Sequence, residues 1–214
     1  MNKLISLTKA VGMIEDGVTL MFGGFMGNGS PHKFIDALVE KNVKNLLVIC
    51  TDSGWEKYGI GKLVVNKQIR KLIASHIGLN EETNRQMTAG EIEVEFVPQG
   101  TLVEKIRCGG YGLGGVLTRT GLGTLVEEGK QKIEVDGVAY LLETGIRADF
   151  ALIAGHKVDK NGNITYRGSS NNFNNIMASA ADVTIVEADE VVEPGQIDPN
   201  MVTTPGAFVQ YIIN

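Results

Sequence analysis

The sequence predicts an α/β fold: an open, mainly parallel sheet with helices on both faces. Three observations lead there. Strand-like and helix-like stretches alternate from the start of the chain, the order in which a parallel sheet is built. The strand-like stretches are continuous apolar runs, such as Leu46-Leu47-Val48-Ile49-Cys50, and runs of this kind belong to strands covered on both faces. The first of them, Thr19 to Phe22, runs straight into Gly23, Gly24, Gly27 and Gly29 and then Pro31. Backbone without side chains at the end of a buried strand is how an α/β sheet admits a ligand that carries phosphates or a thioester.

The elements follow in order. Pro31 is well placed to start a helix through Lys41, with Phe34, Ile35, Leu38 and Val39 at helical spacing. Leu46 to Cys50 is the second strand and Ile69 to Ala74 the third. A polar helix from Asn80 to Ala89 stops at Gly90, and Val94 to Val97 forms a fourth strand ending at Pro98-Gln99-Gly100. A helix from Thr101 to Cys108 ends at Gly109-Gly110. The stretch from Gly109 to Gly129 holds eight glycines and reads as loop. Strands are expected at Val138 to Leu142 and Phe150 to Ala154, a hairpin turn at Asn161-Gly162, a helix from Asn172 to Ala181, and a last strand from Val183 to Glu187. With no repeat or linker, one domain over residues 1–214 is expected, in keeping with about 150 residues per domain.

Composition narrows the function. The chain of 214 residues carries a net charge of −5 from 20 basic and 25 acidic residues, without the basic run or aromatic-basic stripe that nucleic-acid binding requires. The segment Met1 to Lys9 lacks the apolar core of a targeting signal, and no run approaches the roughly 20 apolar residues of a membrane span. A cytoplasmic protein is expected. Two cysteines, Cys50 and Cys108, have no second thiol or His at metal-ligand spacing, so no metal site is expected. Cys50 reads as a packing residue. Cys108, beside Arg107, has a charge that lowers a thiol pKa but no His at catalytic spacing. Gly makes up 27 of the residues, well above the roughly 7% that is usual.

Several motifs fail on inspection. Gly110-Tyr111-Gly112-Leu113-Gly114-Gly115 spells the dinucleotide pattern, yet a helix precedes it where a strand is required. The loop at Gly23 has the right context but the wrong glycine spacing. Asp52, after the second strand, stands where a ribose-binding acid would, which keeps a nucleotide-dependent oxidoreductase in view. Gly61-Lys62 and Gly129-Lys130 complete no phosphate loop. His32, His76 and His156 pair with no Ser or Cys at a recognisable spacing and read as surface or structural residues. Glu187, Asp189 and Glu190 read as solvated charges at a strand end. Gln99, at the C-terminal end of a strand, is either a donor to a substrate oxygen or a solvated turn residue.

The segment Asp16-Gly17, Leu20-Met21-Phe22, Gly23-Gly24-Phe25, Gly29 and Pro31 resembles the signature of the family I coenzyme A transferases. The likeness continues through Pro98-Gln99-Gly100-Thr101-Leu102, Arg107-Cys108-Gly109-Gly110, Thr118-Arg119-Thr120-Gly121, Val126-Glu127-Glu128-Gly129 and Thr204-Pro205-Gly206. It covers nearly the whole chain and points to the α subunit of the acetate or butyrate/acetoacetate kind. The resemblance implies a fold like that of the ribose-phosphate isomerase and deaminase group. It also implies ping-pong exchange of CoA, the co-substrate, between a short-chain acyl-CoA and a free carboxylate, with no metal. By the same resemblance Gly23, Gly24, Phe25, Met26, Gly27, Asn28 and Gly29 contact CoA, Gln99 faces the reacting carboxylate, and the second glycine region shapes a cleft between subunits. The family's nucleophilic glutamate lies in a Ser-Glu-Asn-Gly-like context on a β subunit. This chain has no Glu-Asn-Gly, so no catalytic residue is expected on it, and an assembly of two α and two β chains is implied. A self-sufficient sugar-phosphate isomerase or deaminase on the same fold, and a non-catalytic assembly subunit, are the alternatives.

Overall fold

The computed structural model describes residues 3–214. Met1 and Asn2, the start of the stretch read for a targeting signal, lie outside the described residues. After a short helix α1 (Leu7–Gly12), the strands β1 (Thr19–Phe22), β2 (Leu46–Ile49), β3 (Ile69–Ala74) and β4 (Glu93–Phe96) alternate with α2 (His32–Lys41), α3 (Gly61–Val65) and α4 (Glu81–Thr88). Next come α5 (Gln99–Gly110), β5 (Gly115–Thr118), β6 (Lys132–Val135), β7 (Val138–Thr144), β8 (Ala148–Asp159) and β9 (Ile164–Thr165). The chain closes with α6 (Asn174–Met177), β10 (Ala181–Val192) and β11 (Tyr211–Ile213).

The main sheet has the order β11-β10-β8-β1-β2-β3-β4, with β9 attached to β8. Every pairing along that path is parallel, and β9 alone runs antiparallel to its neighbour. The sheet grows from β1 in one direction through β4 and then in the other through β8, β10 and β11. Leu20 therefore pairs with Val48 of β2 on one side and Phe150 of β8 on the other. Ligands of open parallel sheets gather at such a reversal, beyond the C-terminal strand ends.

The continuous apolar runs have the expected physical basis. Leu20 and Phe22 pack with Phe34, Leu38, Leu63 and Leu72 on the face covered by α1, α2 and α3. Met21, between them, points to the other face and packs with Leu102 and Ile106 of α5 and Met177 of α6. Successive strand residues thus enter two separate cores, and neither face tolerates a polar residue. All three side chains are at most 1% exposed, each such burial contributing about 1.5–3 kcal/mol.

Several boundaries differ from the sequence expectation. The predicted helix Asn172 to Ala181 shrinks to Asn174–Met177, because β10 already begins at Ala181 and the Asn172 side chain is held by distant backbone. β8 and β10 run far beyond the predicted Phe150 to Ala154 and Val183 to Glu187; they pair in register as far as Asp159 and Val192. Their distal halves contain His156, Lys157, Asp189 and Glu190 and lack the apolar run that marks a doubly covered strand. The glycine-rich stretch from Gly109 to Gly129 is not all loop. It contains β5, which joins β7 and β6 in a small antiparallel sheet. Leu113 and Gly114 lead from α5 into that strand, so the false dinucleotide motif is followed by a strand. Buried Glu143 of β7 anchors this sheet, paired to Lys105 of α5 at 3.1 Å and to Lys130. α1, α3, β6, β9 and β11 are further elements not predicted. The Asn161-Gly162 turn does join the antiparallel pair β8 and β9, with Gly162 at φ +93°.

The acidic trio, predicted to lie at a strand end, falls within the outer half of β10 and divides in two. Asp189 and Glu190 are exposed, as expected, but Glu187 is not a solvated charge. Its carboxylate accepts from the Lys33 N–H at 3.2 Å and the Phe34 N–H at 2.9 Å, capping α2, whose N-terminal Pro31 makes no side-chain cap. Burial pushes this carboxyl above its usual range, against the two N–H donors and nearby Lys33 and His32. Replacing Glu187 with Ala should lower unfolding stability by about 1–2 kcal/mol through loss of the cap, read as a lower urea midpoint. Asp189→Asn, at an exposed site, should leave that midpoint unchanged, and equal effects of the two would refute the capping role.

Candidate functional site

The loop after β1 is held by bonds from four separate segments. The Gly23 N–H donates to the Leu152 carbonyl of β8 at 3.0 Å. Phe25 and Asn28 exchange N–H to carbonyl bonds at 3.0 and 2.9 Å, closing a two-residue reversal over Met26 and Gly27. Both central residues have positive φ, +52° and +79°, as this tight reversal demands. Gly27 also lies against a ring: a Cβ there would stand 2.3 Å from Tyr58 Cδ1. No larger residue fits without moving Tyr58.

Asp52 supplies the second hold. Its side chain is buried and accepts from the Met26 N–H at 2.9 Å and the Gly54 N–H at 2.8 Å. The Thr51 hydroxyl lies 2.7 Å from both Asp52 Oδ2 and the Gly24 carbonyl. The carboxylate therefore ties the glycine loop to the next loop, Ser53 to Gly59, and is not free to bind a ribose. This removes the ground on which Asp52 kept a nucleotide-dependent oxidoreductase in view.

Asn172 and Asn174 close the loop from the far side. Asn172 Oδ1 accepts from the Gly24 N–H at 3.1 Å, and its Nδ2 donates to the Asn28 carbonyl at 3.0 Å. Asn174 accepts from the Ala154 N–H at 3.1 Å and donates to the Gly29 carbonyl at 2.9 Å. A Cβ on Gly23 would fall 1.7 Å from Asn174 Oδ1, so this glycine makes room for the amide. These two asparagines escape sequence reasoning because about 145 residues separate them from the loop, and the pattern there resembles a helix.

Most of the loop's N–H groups are thus consumed internally. Among the described residues only Gly27 and Gly29 keep an unpartnered N–H between Gly23 and Ser30. The loop offers few donors; Phe25 and Met26 are exposed on it, while the open sides of Gly23, Gly24, Gly27 and Gly29 face Asn174, Ser30, Tyr58 and Ser170. Beneath it, between Phe22, Thr51 and Ile60, the free space is about 10 Å³, at the lower limit for one water. A ligand has room only on the outer side.

On that side Phe25 meets Gln99 in one cleft of about 380 Å³, lined also by Val103, Arg107, Asn172 and Phe173. Gln99 is not a turn residue: α5 begins at Gln99, after the N-cap Pro98, two residues earlier than its predicted start. Its amide therefore stands at the first turn of a helix, where backbone N–H groups are also free. Arg107, two turns along α5, bonds Glu104 at 3.0 Å and adds a cation to the cleft. Nothing in the sequence marked Arg107, Asn172 or Phe173 as lining residues.

The remaining candidates are structural. His32 donates from Nε2 to the Gly27 carbonyl at 2.9 Å and stacks on Tyr58 with ring centroids 4.2 Å apart. His76 Nδ1 lies 3.0 Å from the Ser75 hydroxyl, and His156 faces Asp189 at 3.2 Å. Cys50 and Cys108 are buried; burial pushes both thiols up, and for Cys108 it outweighs Arg107. In the second glycine region, Gly109 and Gly110 let α5 pack closely. A Cβ on either would lie 2.0 Å from the Ile146 carbonyl or 2.2 Å from the Ser179 hydroxyl. Among the described residues no group of three or more His, Cys, Asp or Glu side chains is placed to hold a metal ion. No helix there is long and apolar enough to cross a membrane.

A glycine loop at the reversal of a parallel sheet, sharing a cleft with an amide at a helix N-terminus, is the layout of an α/β protein that takes its ligand at the C-terminal strand ends. The chain belongs to the coenzyme A transferase family, whose model matches residues 4–214. It is 54% identical over 212 residues to the acetate CoA-transferase subunit alpha of Escherichia coli, covering 99% of this chain and 96% of that one. To the acetoacetyl-CoA:acetate/butyrate CoA transferase alpha subunit of Clostridium acetobutylicum it is 50% identical over 212 residues, covering 99% and 97%. Among solved structures, an acyl-CoA transferase from Escherichia coli in a thioester complex with CoA superposes with a TM-score of 0.90 at 22% identity. That match covers 99% of this chain, which spans 47% of the longer enzyme. Glutaconate coenzyme A-transferase from Acidaminococcus fermentans gives a TM-score of 0.86 at 17% identity, covering 99% and 75%. The shared fold is the one the sequence predicts.

Asp52→Asn tests the clamp. An amide turns one acceptor into a donor facing an N–H, which should cost about 1–3 kcal/mol and speed hydrogen exchange at Met26 and Gly54. An unchanged urea midpoint with unchanged exchange would show that Asp52 does not hold the loops.

Proposed function

We propose that this chain is the α subunit of a cytoplasmic, two-chain CoA transferase that moves CoA between a short-chain acyl-CoA and a free carboxylate such as acetate, butyrate or acetoacetate. The observation that carries this reading is the convergence of Phe25, from the glycine loop, and Gln99, from α5, on one cleft. Residues 1–214 serve as a single domain in an assembly of two α and two β chains. The α subunits named among the relatives support the two-chain arrangement.

Residues Gly23 to Gly29 form the CoA-side wall of the site. With few free N–H groups, the wall acts by apolar contact: the exposed Phe25 and Met26 side chains offer an extended thioester an apolar surface. Gln99 presents its amide to the oxygen of the thioester or of the acceptor carboxylate, assisted by the free N–H groups that begin α5. Arg107 offers charge to the carboxylate.

The nucleophile belongs to the partner. A β-subunit glutamate oxygen attacks the thioester carbonyl, the carbon–sulfur bond breaks, and CoA thiolate leaves a mixed anhydride. The thiolate then attacks the glutamyl carbonyl, releasing the acyl group as its carboxylate and leaving a glutamyl-CoA thioester. The acceptor carboxylate runs both steps in reverse. Preference among acids that differ by a methylene or two is worth only about 1–3 kcal/mol, so acyl choice rests on small features of the cleft.

The isolated chain should show no exchange of CoA between acetoacetyl-CoA and acetate, and addition of a β subunit should restore it. Full activity from the chain alone would overturn the assignment. In the assembled enzyme, Gly27→Val should raise the KM for acyl-CoA at least tenfold, since the side chain must displace Tyr58 from the loop. An unchanged KM would remove the loop from the CoA site.

A further inference from the structure

The loops that follow β1 and β2 are built on one frame. Gly24-Phe25-Met26-Gly27-Asn28-Gly29 and Gly54-Trp55-Glu56-Lys57-Tyr58-Gly59 each begin and end on a glycine at positive φ, +117° and +74° in the first, +64° and +63° in the second. Each closes a bridge between the residues that flank its central pair, Phe25 with Asn28 and Trp55 with Tyr58. They differ at the central pair itself. Neither Glu56 nor Lys57 has a positive φ, whereas Met26 and Gly27 stand at +52° and +79°. For Met26, which carries a Cβ, that conformation costs on the order of 1–3 kcal/mol and persists only where the surroundings impose it. The second loop closes the same bridge without that cost, so the reversed pair in the first is set from outside.

Asp52 supplies one hold, on the Met26 N–H. Two others act on Gly27. Tyr58, from the second loop, fills the space that a Gly27 Cβ would need, 2.3 Å from both Cδ1 and Cε1. His32 Nε2 donates to the Gly27 carbonyl at 2.9 Å, and its ring backs Tyr58 with centroids 4.2 Å apart. His32 is itself fixed, because it opens α2, and the next two N–H groups of that helix are bound by Glu187. A line of contacts thus runs from β10 through the first turn of α2 to the reversal. Its outcome is that Phe25 and Met26 are both left open to solvent, 40% and 38% exposed.

We propose that Tyr58 and His32 are positioning residues for CoA transfer, acting through the Met26-Gly27 reversal to set how Phe25 and Met26 meet the acyl-CoA. The proposal rests on the reading of the loop as the CoA-side wall. Neither residue lines the cleft of Gln99, so their effect belongs in binding. Apolar contact with a part of the substrate that does not react is equally strong in the ground state and the transition state. Its loss raises KM and leaves kcat in place.

The test uses the enzyme assembled with its β subunit, with acetoacetyl-CoA and acetate as substrates. Tyr58→Ala should raise the KM for acetoacetyl-CoA, and so should His32→Phe, which keeps a stacked ring but removes the donor. Each rise should be about tenfold, the upper range for one hydrogen bond, with kcat changed by less than about twofold. Conservative replacements should return the KM to that of the unaltered enzyme: Tyr58→Phe keeps the ring, and His32→Gln keeps a donor for the Gly27 carbonyl. Hydrogen exchange at the Met26 amide should quicken in the first two variants and not in the second two. A lower urea midpoint with unchanged KM would make the pair merely structural and overturn the proposal. So would a fall in kcat at constant KM, which would place the pair in the chemical step. If Tyr58→Ala fails to assemble, His32→Phe against His32→Gln decides the matter. Phe25→Ala separates the two readings. An unchanged KM in Phe25→Ala removes the loop from the CoA site, and the proposal with it. A raised KM there, with none in Tyr58→Ala or His32→Phe, leaves the wall standing and overturns the positioning role alone.

Discussion

Strand β1 is paired in parallel on both sides, with β2 and with β8, and the rest of the architecture is arranged around that double pairing. A strand so placed spends its backbone groups on two neighbours and its side chains on two cores, so its sequence must be apolar throughout. The chain leaving it cannot enter the sheet on either side. It must turn out over the C-terminal edge, and the Gly23 N–H is caught at once by the Leu152 carbonyl. The reversal of sheet order at β1 thereby creates the opening into which the loop folds.

What holds the loop in that opening is a set of short polar side chains, each meeting backbone from another segment. Asp52 bridges two loops, and Asn172 and Asn174 reach them from beyond β9. Buried amides and carboxylates of this kind are costly unless every group is matched. Here the matches come from backbone that has no sheet or helix partner, so both sides of each bond gain. The same bonds explain why the loop is a wall and not a nest: its donors are used to keep its shape.

Much of this was legible in the chain. The apolar runs at Leu20 and Leu46 mark strands covered twice, Asn80 and Gly90 bracket α4, and the identity of Gly24, Gly27 and Gly29 permits the positive φ they adopt. Gln99 was legible as a residue at a strand end. The illegible parts share one cause, dependence on a distant partner. Glu187 looks like a solvated charge until α2 is placed with its first N–H groups above it. The outer halves of β8 and β10 become strands only because each lies beside the other. Arg107 and Phe173, which share the cleft, lie on different elements brought together by the packing of α5 against α6.

By itself the sequence determined the class of sheet, the glycine loop and its place at the end of β1, and the family signature, because those depend on local periodicity and on what glycine and proline permit. The tertiary structure alone decided which groups the loop would spend internally and which it would leave open. Those outcomes depend on hydrogen bonds between segments 26 to 148 residues apart, whose energies exist only once the sheet has brought them within about 3 Å.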